Sequence, residues 1–368
     1  MTDEKASPPG RRGVTLTDIA RLVNVSPATV SNAYNRPDQL SSALRERILQ
    51  TARELDYSGP HPAARSLRRG VAASIGVVLT EKLSYAFSDS AAIHFLRGLS
   101  MATEAVGMSL LLMPASPRGD SAAVRDAIVD GFIVYSMPDN HPDVEAIIAR
   151  RLPTVFVDSP RVMGMNFVGV DDRTASRQVA DHLLALGHRR VAIVSFALKS
   201  DGFRGRAGQE RQDSAHRFVT RERLAGYREA IEARGMAWQG VRVEECTSSQ
   251  QAEGLAAGLA ILGDEPRPTA IIAMSDLLAL GVLEAAGRLG INAPGELGIV
   301  GFDDIPAAAT SEPSLTTIHQ PLTEKGLVAG ELVFASFESG RSVRQGYERV
   351  LPTNLVVRAS GGHSIRPT

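Results

Sequence analysis

"VTLTDIARLVNVSPATVSNAYNRPD", residues 14–38, holds two short helical patterns with a turn between them. Thr15 stands three residues before Asp18, a capping-box spacing with Asp in place of Glu or Gln. Leu16, Ile19, Ala20 and Val23 recur at helical intervals. Asn24 follows, a residue that tolerates the left-handed conformation by which a chain leaves a helix. Ser26 then caps a second helix, with Pro27 at its first position, where a missing N–H does no harm. Val30 and Ala33 give that helix one apolar face, while Thr29, Ser31 and Asn32 leave another polar. A third helix is expected from about Ser42 to Asp56, with Leu44, Ile48, Leu49, Ala52 and Leu55 inward.

The spacing carries the meaning. Counted from Leu16, a small residue stands fifth (Ala20), a turn residue ninth (Asn24) and a locking apolar residue fifteenth (Val30). Two helices that approach closely at Ala20, turn at Asn24 and lock at Val30 form a helix-turn-helix. Any small three-helix bundle is the competing reading. A polar second helix is explained if it lies in the major groove of double-stranded DNA, and residues 14–58 are read as that headpiece. Residues 1–13, with charge, Pro and Gly but no apolar run, read as a disordered arm and not as a signal peptide.

Next comes "GPHPAARSLRRG", residues 59–70, in which prolines isolate one short helical segment. So short a helix is marginal in water, and Leu67 has no core to join. A hinge helix that folds on DNA, with Leu67 as a minor-groove wedge and Arg65, Arg68 and Arg69 at phosphates, accounts for both facts. A plain basic linker is the alternative.

From residue 74 onward, β-branched runs alternate with amphipathic helices: strands are expected at 74–79, 109–114, 131–136, 153–159, 167–171, 190–195, 241–245, 269–274 and 297–302. Alternation of this kind means α/β layers built on parallel sheet. The number of strands is high for one sheet, so residues 71–358 are read as two subdomains sharing a ligand cleft, with crossovers near 158–166 and 318–322 and a tail from 359. The first 70 residues carry a charge of +4 and the rest about −5, which places the expected anionic partner at the N-terminal end. No apolar run spans a membrane, and the single cysteine, Cys246, excludes an internal disulfide. A reducing, cytoplasmic location is expected.

Catalysis is not. The acid pairs Asp171–Asp172 and Asp303–Asp304 sit on adjacent positions, whose side chains diverge on a strand. The histidines lack metal-ligand spacing, and Cys246 has no nearby base. No cofactor or metal is expected.

The motifs "TLTDIARLVNVSPATVS", "AARSLRRG" followed by "IGVV", "VGVDD", "HLLALGHRRVAIV", "RLAGYREA", "SDLLALGVLEAAGRLG", "GIVGFDD" and "SLTTIHQP" stand in one order and spacing. In these the chain, from about residue 14 to 358, resembles the LacI/GalR family of bacterial transcription regulators. The resemblance implies a helix-turn-helix headpiece, a hinge helix and a core of two Rossmann-like parallel-sheet subdomains like a type I periplasmic binding protein. It also implies a homodimer on a palindromic operator, most often as a repressor, controlled by a small-molecule effector, commonly a sugar or nucleoside. No apolar heptads follow at the C-terminus to pair dimers into tetramers.

The resemblance assigns base reading to Pro27, Ala28 and Asn32. Asn32 suits adenine, and Pro27 and Ala28 can only pack on a thymine methyl. Ser26, Thr29 and Ser31 are expected at phosphates, with Thr15 and Asn35 as further DNA contacts; Leu67 matches the family's minor-groove wedge, and Arg65 and Arg68 are expected at phosphates beside it. For the effector it carries over Asp158, Arg223, Ser275, Asp303 and Gln320. Leu83, Tyr85 and Phe87 are expected as an apolar wall, because "CTSSQQAEG" around Ser249 supplies no aromatic. One stretch, 196–220, is longer than usual and Arg/Gly-rich. It reads as a solvated insertion, or as a lid whose Arg204, Arg206 or Arg211 meets an anion. A solute-binding protein sharing the core, an activator and a ligand-independent regulator are the other readings.

Overall fold

A computed structural model describes residues 14–59, 71–80, 82–116, 119–338 and 346–361. The arm 1–13 and most of the hinge, Arg65, Leu67, Arg68 and Arg69 included, lie outside the described residues. The chain divides into two compact units, Met1–Ala72 and Ala73–Thr368.

The first unit is a three-helix cluster: α1 (Leu16–Val23), α2 (Pro27–Asn35) and α3 (Ser42–Glu54). Thr15 and Asp18 make the reciprocal capping box at α1, and Asn24 leaves it at φ 56°. Ser26 caps α2, with Pro27 in its first turn. Ile19, Val30 and Ile48, one from each helix, are fully buried together with Ala20, Ala33 and Ala52. Each large side chain removed from water contributes about 1.5–3 kcal/mol, enough in sum to hold three short helices that are marginal alone. Leu44 and Leu55 flank this cluster, whereas Leu49 is only half-buried and stands outside it. Helix α3 ends at Glu54 because Asp56 turns left-handed.

The second unit contains two sheets. All nine expected strands form: β1 (Ser74–Leu79), β2 (Ser109–Pro114), β3 (Gly131–Tyr135), β4 (Thr154–Val157), β5 (Asn166–Val170), β6 (Val191–Ser195), β8 (Arg242–Glu245), β9 (Ala270–Ala273) and β10 (Gly298–Val300). Four more are added by β7 (Gly205–Arg206), β11 (Thr317–His319), β12 (Glu348–Leu351) and β13 (Asn354–Val356). The first sheet is wholly parallel, in order β12-β5-β4-β3-β1-β2. The second, β10-β9-β6-β8-β7, is parallel except for β7. A short antiparallel pair, β11 with β13, completes the set.

Residues 158–166 do not cross between lobes. They join β4 to β5, which pair directly in the first sheet. Their Pro- and Gly-containing irregularity comes from a loop at a strand's end. The chain first passes over between β5 and the helix Asp172–Ala185, which leads into β6 of the second sheet. It returns at 320, ahead of the helix Leu322–Glu338, and crosses once more between β12 and β13.

Helices cover both faces of each sheet, as buried parallel strands require. Leu322–Glu338 lies against Ser90–Val106 so closely that a Cβ at Gly98 would overlap the Thr323 carbonyl. At Gly287, near the end of the helix Asp276–Arg288, an added Cβ meets nothing within 4 Å. The same substitution therefore has opposite expected signs. Gly98→Ala lowers the unfolding free energy by about 1–3 kcal/mol through overpacking, whereas Gly287→Ala raises it by about 0.5–1 kcal/mol through helix propensity. Urea midpoints of the two variants check this pair.

Candidate DNA-reading surface and ligand cleft

On α2 the positions expected to face DNA are open to solvent or half-open. Ser26, Pro27 and Ala28 are exposed; Thr29, Ser31, Asn32 and Asn35 are half-buried. Their hydrogen bonds sort them. The Ser26 hydroxyl accepts from the Thr29 backbone N–H at 3.0 Å and pairs with the Thr29 hydroxyl at 2.8 Å. Asn35 donates to the Ser31 carbonyl at 2.9 Å and its hydroxyl at 3.2 Å. Thr15 is committed to Asp18 as a cap, donating from its hydroxyl at 2.6 Å. Asn32 donates one amide hydrogen to Gln39 at 3.3 Å. An amide has two such hydrogens, so the second and the side-chain oxygen remain as the pair that matches an adenine edge. Gln39, in the turn after α2, is the residue that sequence reasoning missed. Its contact joins residues seven apart across a chain reversal, which helical spacing does not reveal.

In the second unit, the C-terminal ends of the strands of both sheets converge on one cleft of about 980 Å³ including its open mouth. Open α/β sheets place ligands at such ends. The first lobe contributes Tyr85, Asp89, Tyr135, Ser136 and Asp158; the second contributes Phe196, Arg217, Thr220, Arg223, Ser249 and Asp303; Gln320 enters from the crossing strand. Of the residues expected for an effector, Tyr85, Asp158, Arg223, Asp303 and Gln320 are brought together. Leu83, Phe87 and Ser275 are not. Leu83 packs into the first lobe's core, and Phe87 is 61% exposed away from the cleft lining. Ser275 is buried as the N-cap of Asp276–Arg288, its hydroxyl accepting from the Leu278 N–H at 3.3 Å and pairing with the Ser249 hydroxyl at 2.7 Å. The aromatic wall is Tyr85, Tyr135 and Phe196 instead. Tyr135 stacks on Phe95 with ring centres 4.3 Å apart.

Arg223 is fixed on several sides. Its Nε donates to Asp172 at 2.8 Å, its Nη1 donates to the Met274 carbonyl, and its guanidinium lies 3.5 Å over the Phe302 ring. Asp172, second of the pair in "VGVDD", is thus a positioning residue. Asp158 and Asp303 both adopt positive φ, 62° and 119°. Non-glycine residues rarely take that region, and surrounding structure must enforce it. Here both carboxylates are held by hydrogen bonds. Gln320 donates to Asp303 at 2.6 Å, and Lys325 donates to Asp158 at 2.7 Å and to the Gln320 carbonyl oxygen at 2.6 Å. Lys325 was not anticipated, although it stands on the buried stripe of its helix with Leu322, Ala329 and Val333. A lysine on such a stripe is itself the signal that sequence reasoning could have used.

Tyr85 reaches across the mouth. Its hydroxyl donates to the Ser249 carbonyl and accepts from the Ser249 N–H, each at 3.1 Å. The 196–220 stretch is a folded part of the second lobe, built from β7 and the helix Gln209–Asp213. Arg211 forks onto Asp201 and onto the buried Glu245, and Arg204 pairs with Glu253. Neither guanidinium lines the cleft, nor does Arg206; Arg217, at the end of the stretch, does.

The fold and the two surfaces define a helix-turn-helix protein with a periplasmic-binding-protein-like core. Residues 15–59 match the family model of bacterial regulatory proteins, lacI family, and residues 180–361 match that of the periplasmic binding protein-like domain. An HTH-type transcriptional regulator of Mycobacterium tuberculosis is 41% identical over 97% of this chain and 99% of its own length. A LacI-family regulator of Corynebacterium glutamicum, known as a crystal structure, is 34% identical over 95% of this chain and 98% of its own, with a TM-score of 0.72. The transcriptional regulator CelR, solved as a cellobiose complex, is 26% identical over 95% of this chain and all of its own, with a TM-score of 0.68. The chain belongs to the LacI family. It is a DNA-binding transcriptional regulator, not an enzyme. Among the described residues no helix is long and apolar enough to cross a membrane.

Burial pushes the Asp303 carboxyl up to about 7, with Arg223 opposing and Asp89 adding to the rise. An unperturbed aspartate ionises near 3.8, so across the interval between these values the folded chain holds a proton that the unfolded chain has released. Stability from this group falls as pH rises through that window and is constant above it. Asp303→Asn removes the fall. Denaturant midpoints from pH 4 to 8 should show the variant gaining on the wild type as pH rises; a constant gap would refute the assignment.

Proposed function

We propose that the protein is a repressor that binds a palindromic operator as a homodimer and is controlled by a sugar-like effector in the cleft. The observation that carries this reading is the presence, in one chain, of an open amide-bearing face on α2 and a cleft furnished with acceptor carboxylates and an aromatic wall. Hydroxyl groups donate to carboxylates, and sugar rings present apolar faces to aromatic rings. That CelR was solved with cellobiose supports a sugar.

In this reading Asn32 accepts from and donates to adenine, Pro27 and Ala28 pack on thymine methyls, and Ser26, Thr29 and Ser31 approach phosphates. Thr15 and Asn35 act by shaping the helix ends. Two hinge segments, 59–70, pair at the operator centre, each inserting Leu67 while Arg65 and Arg68 meet phosphates. A dimer seated there excludes polymerase. The effector stabilises one arrangement of the two lobes over another, and the hinge, marginal by its length, responds. Work of this kind places the protein in the bacterial cytoplasm, on the nucleoid.

Binding-site selection from a random DNA pool tests the reading. The wild type should return an inverted repeat, and Asn32→Ala should lose preference at one position per half-site, worth about 1–3 kcal/mol. The same consensus from both proteins would remove Asn32 as a reader. Failure to bind any duplex at low salt would end the proposal. Leu67→Ala should weaken operator binding and reduce the bend measured by circular permutation, with the core's stability unchanged.

A further inference from the structure

We infer that Lys325 is a specificity-determining positioning residue of the cleft, setting its floor to accept neutral polyhydroxyl ligands and to refuse ligands that bring an anionic group there. This rests on the reading of the cleft as an effector site. It adds a residue to which neither sequence nor family resemblance assigned a role.

The polarity of the floor follows from Lys325 alone. An ammonium has donors and no acceptor. Its two neighbours at 2.7 and 2.6 Å must therefore be the Asp158 carboxylate and the oxygen end of Gln320. With that oxygen facing Lys325, the amide nitrogen of Gln320 faces Asp303, to which it donates at 2.6 Å. In the run of four side chains, Asp158, Lys325, Gln320 and Asp303, donation thus goes outward from Lys325, one way to Asp158 and the other way through Gln320 to Asp303.

Lys325 is fully buried, whereas Asp158, Gln320 and Asp303 line the cleft. The cation of the floor is thus covered and committed. What meets a ligand is carboxyl oxygen and amide N–H. A hydroxyl satisfies both, since it donates to the first and accepts from the second. A ligand carboxylate or phosphate can only accept, and it adds negative charge beside Asp158. Two of Arg223's N–H groups are already engaged by Asp172 and the Met274 carbonyl, and the Asp172 carboxylate offsets part of its charge. Without the ammonium, Asp158 loses its partner and Gln320 is free to turn either end toward Asp303, so the floor's pattern is no longer fixed.

The test uses full-length protein and a thermal-shift and calorimetric panel: neutral pentoses, hexoses, alditols and cellobiose against the matching uronates and sugar phosphates. The wild type should be stabilised by neutral compounds only. Lys325→Met should bind the best of these at least tenfold more weakly and lose the neutral-over-acidic ratio, and Lys325→Arg should recover part of both. A residue that merely supported the fold would lower the melting temperature and leave that ratio intact, which would overturn the inference. So would a wild type stabilised best by the acids, or by nothing in the panel. Either result leaves DNA binding untouched, whereas loss of the regulator reading would appear as failure to bind operator.

If Lys325→Met does not fold, Gln320→Glu serves. With a carboxylate facing Asp303, its affinity for the neutral compound should fall at least tenfold from pH 5 to 8. A pH-independent affinity would count against the inference.

Discussion

A buried ammonium must find acceptors, and the centre of the two-lobed unit is arranged around that requirement. Lys325 draws in a carboxylate from the end of β4 and the amide of the crossing strand, and that amide holds a second carboxylate beyond the end of β10. The two acids occupy backbone conformations that an isolated chain would avoid. Side-chain bonding and strand-end geometry thus determine each other. The depth of the lysine is set in turn by packing, because Gly98 lets its helix close onto the neighbouring one at Thr323, two residues away.

The headpiece solves a different problem. It is too small to rely on area alone, so its helix ends are fixed by side chains: Thr15 with Asp18, Ser26 with Thr29, and Arg47 donating to the Val23 carbonyl at 2.9 Å. What these contacts leave open is as informative as what they close. Among the described residues, hydroxyls and amides along α2 are mostly spent on their own helix, while Asn32 is tied from outside it by a bond that uses one of its two amide hydrogens.

Most of this fold could be read from local pattern, since long buried strands and capped helices announce themselves through β-branched runs and Ser, Thr or Asn at fixed offsets. The strands that went unread, such as β7 and β13, are two to four residues long and depend on partners distant in sequence. Residues 158–166 looked like a passage between lobes because loops and crossovers share Pro and Gly, and only the pairing of β4 with β5 distinguishes them. Within the cleft, Asp158 and Asp303 beyond strand ends and Arg223 on the helix Phe218–Ala233 stand in recognisable motifs and were legible. Ser275 was not, because a serine before a helix is equally a cap. Phe87 and Leu83 were chosen for apolarity, which says nothing about direction, while Tyr135 and Phe196 reach the cavity by standing at or just past the last residue of a strand.

The arginine-rich stretch after β6 has a bearing on solubility. A parallel sheet ends in an unpaired ladder of amides and carbonyls, an invitation to a strand from another molecule. Here that border is β8, and the stretch returns to lay Gly205 and Arg206 antiparallel along it, anchored by Arg211 on a buried glutamate. The outermost rung is then two residues long and carries a charge, so any copy approaching in register finds almost nothing to extend. Segments that look like ornament in the sequence serve here as a guard against fibrous self-association.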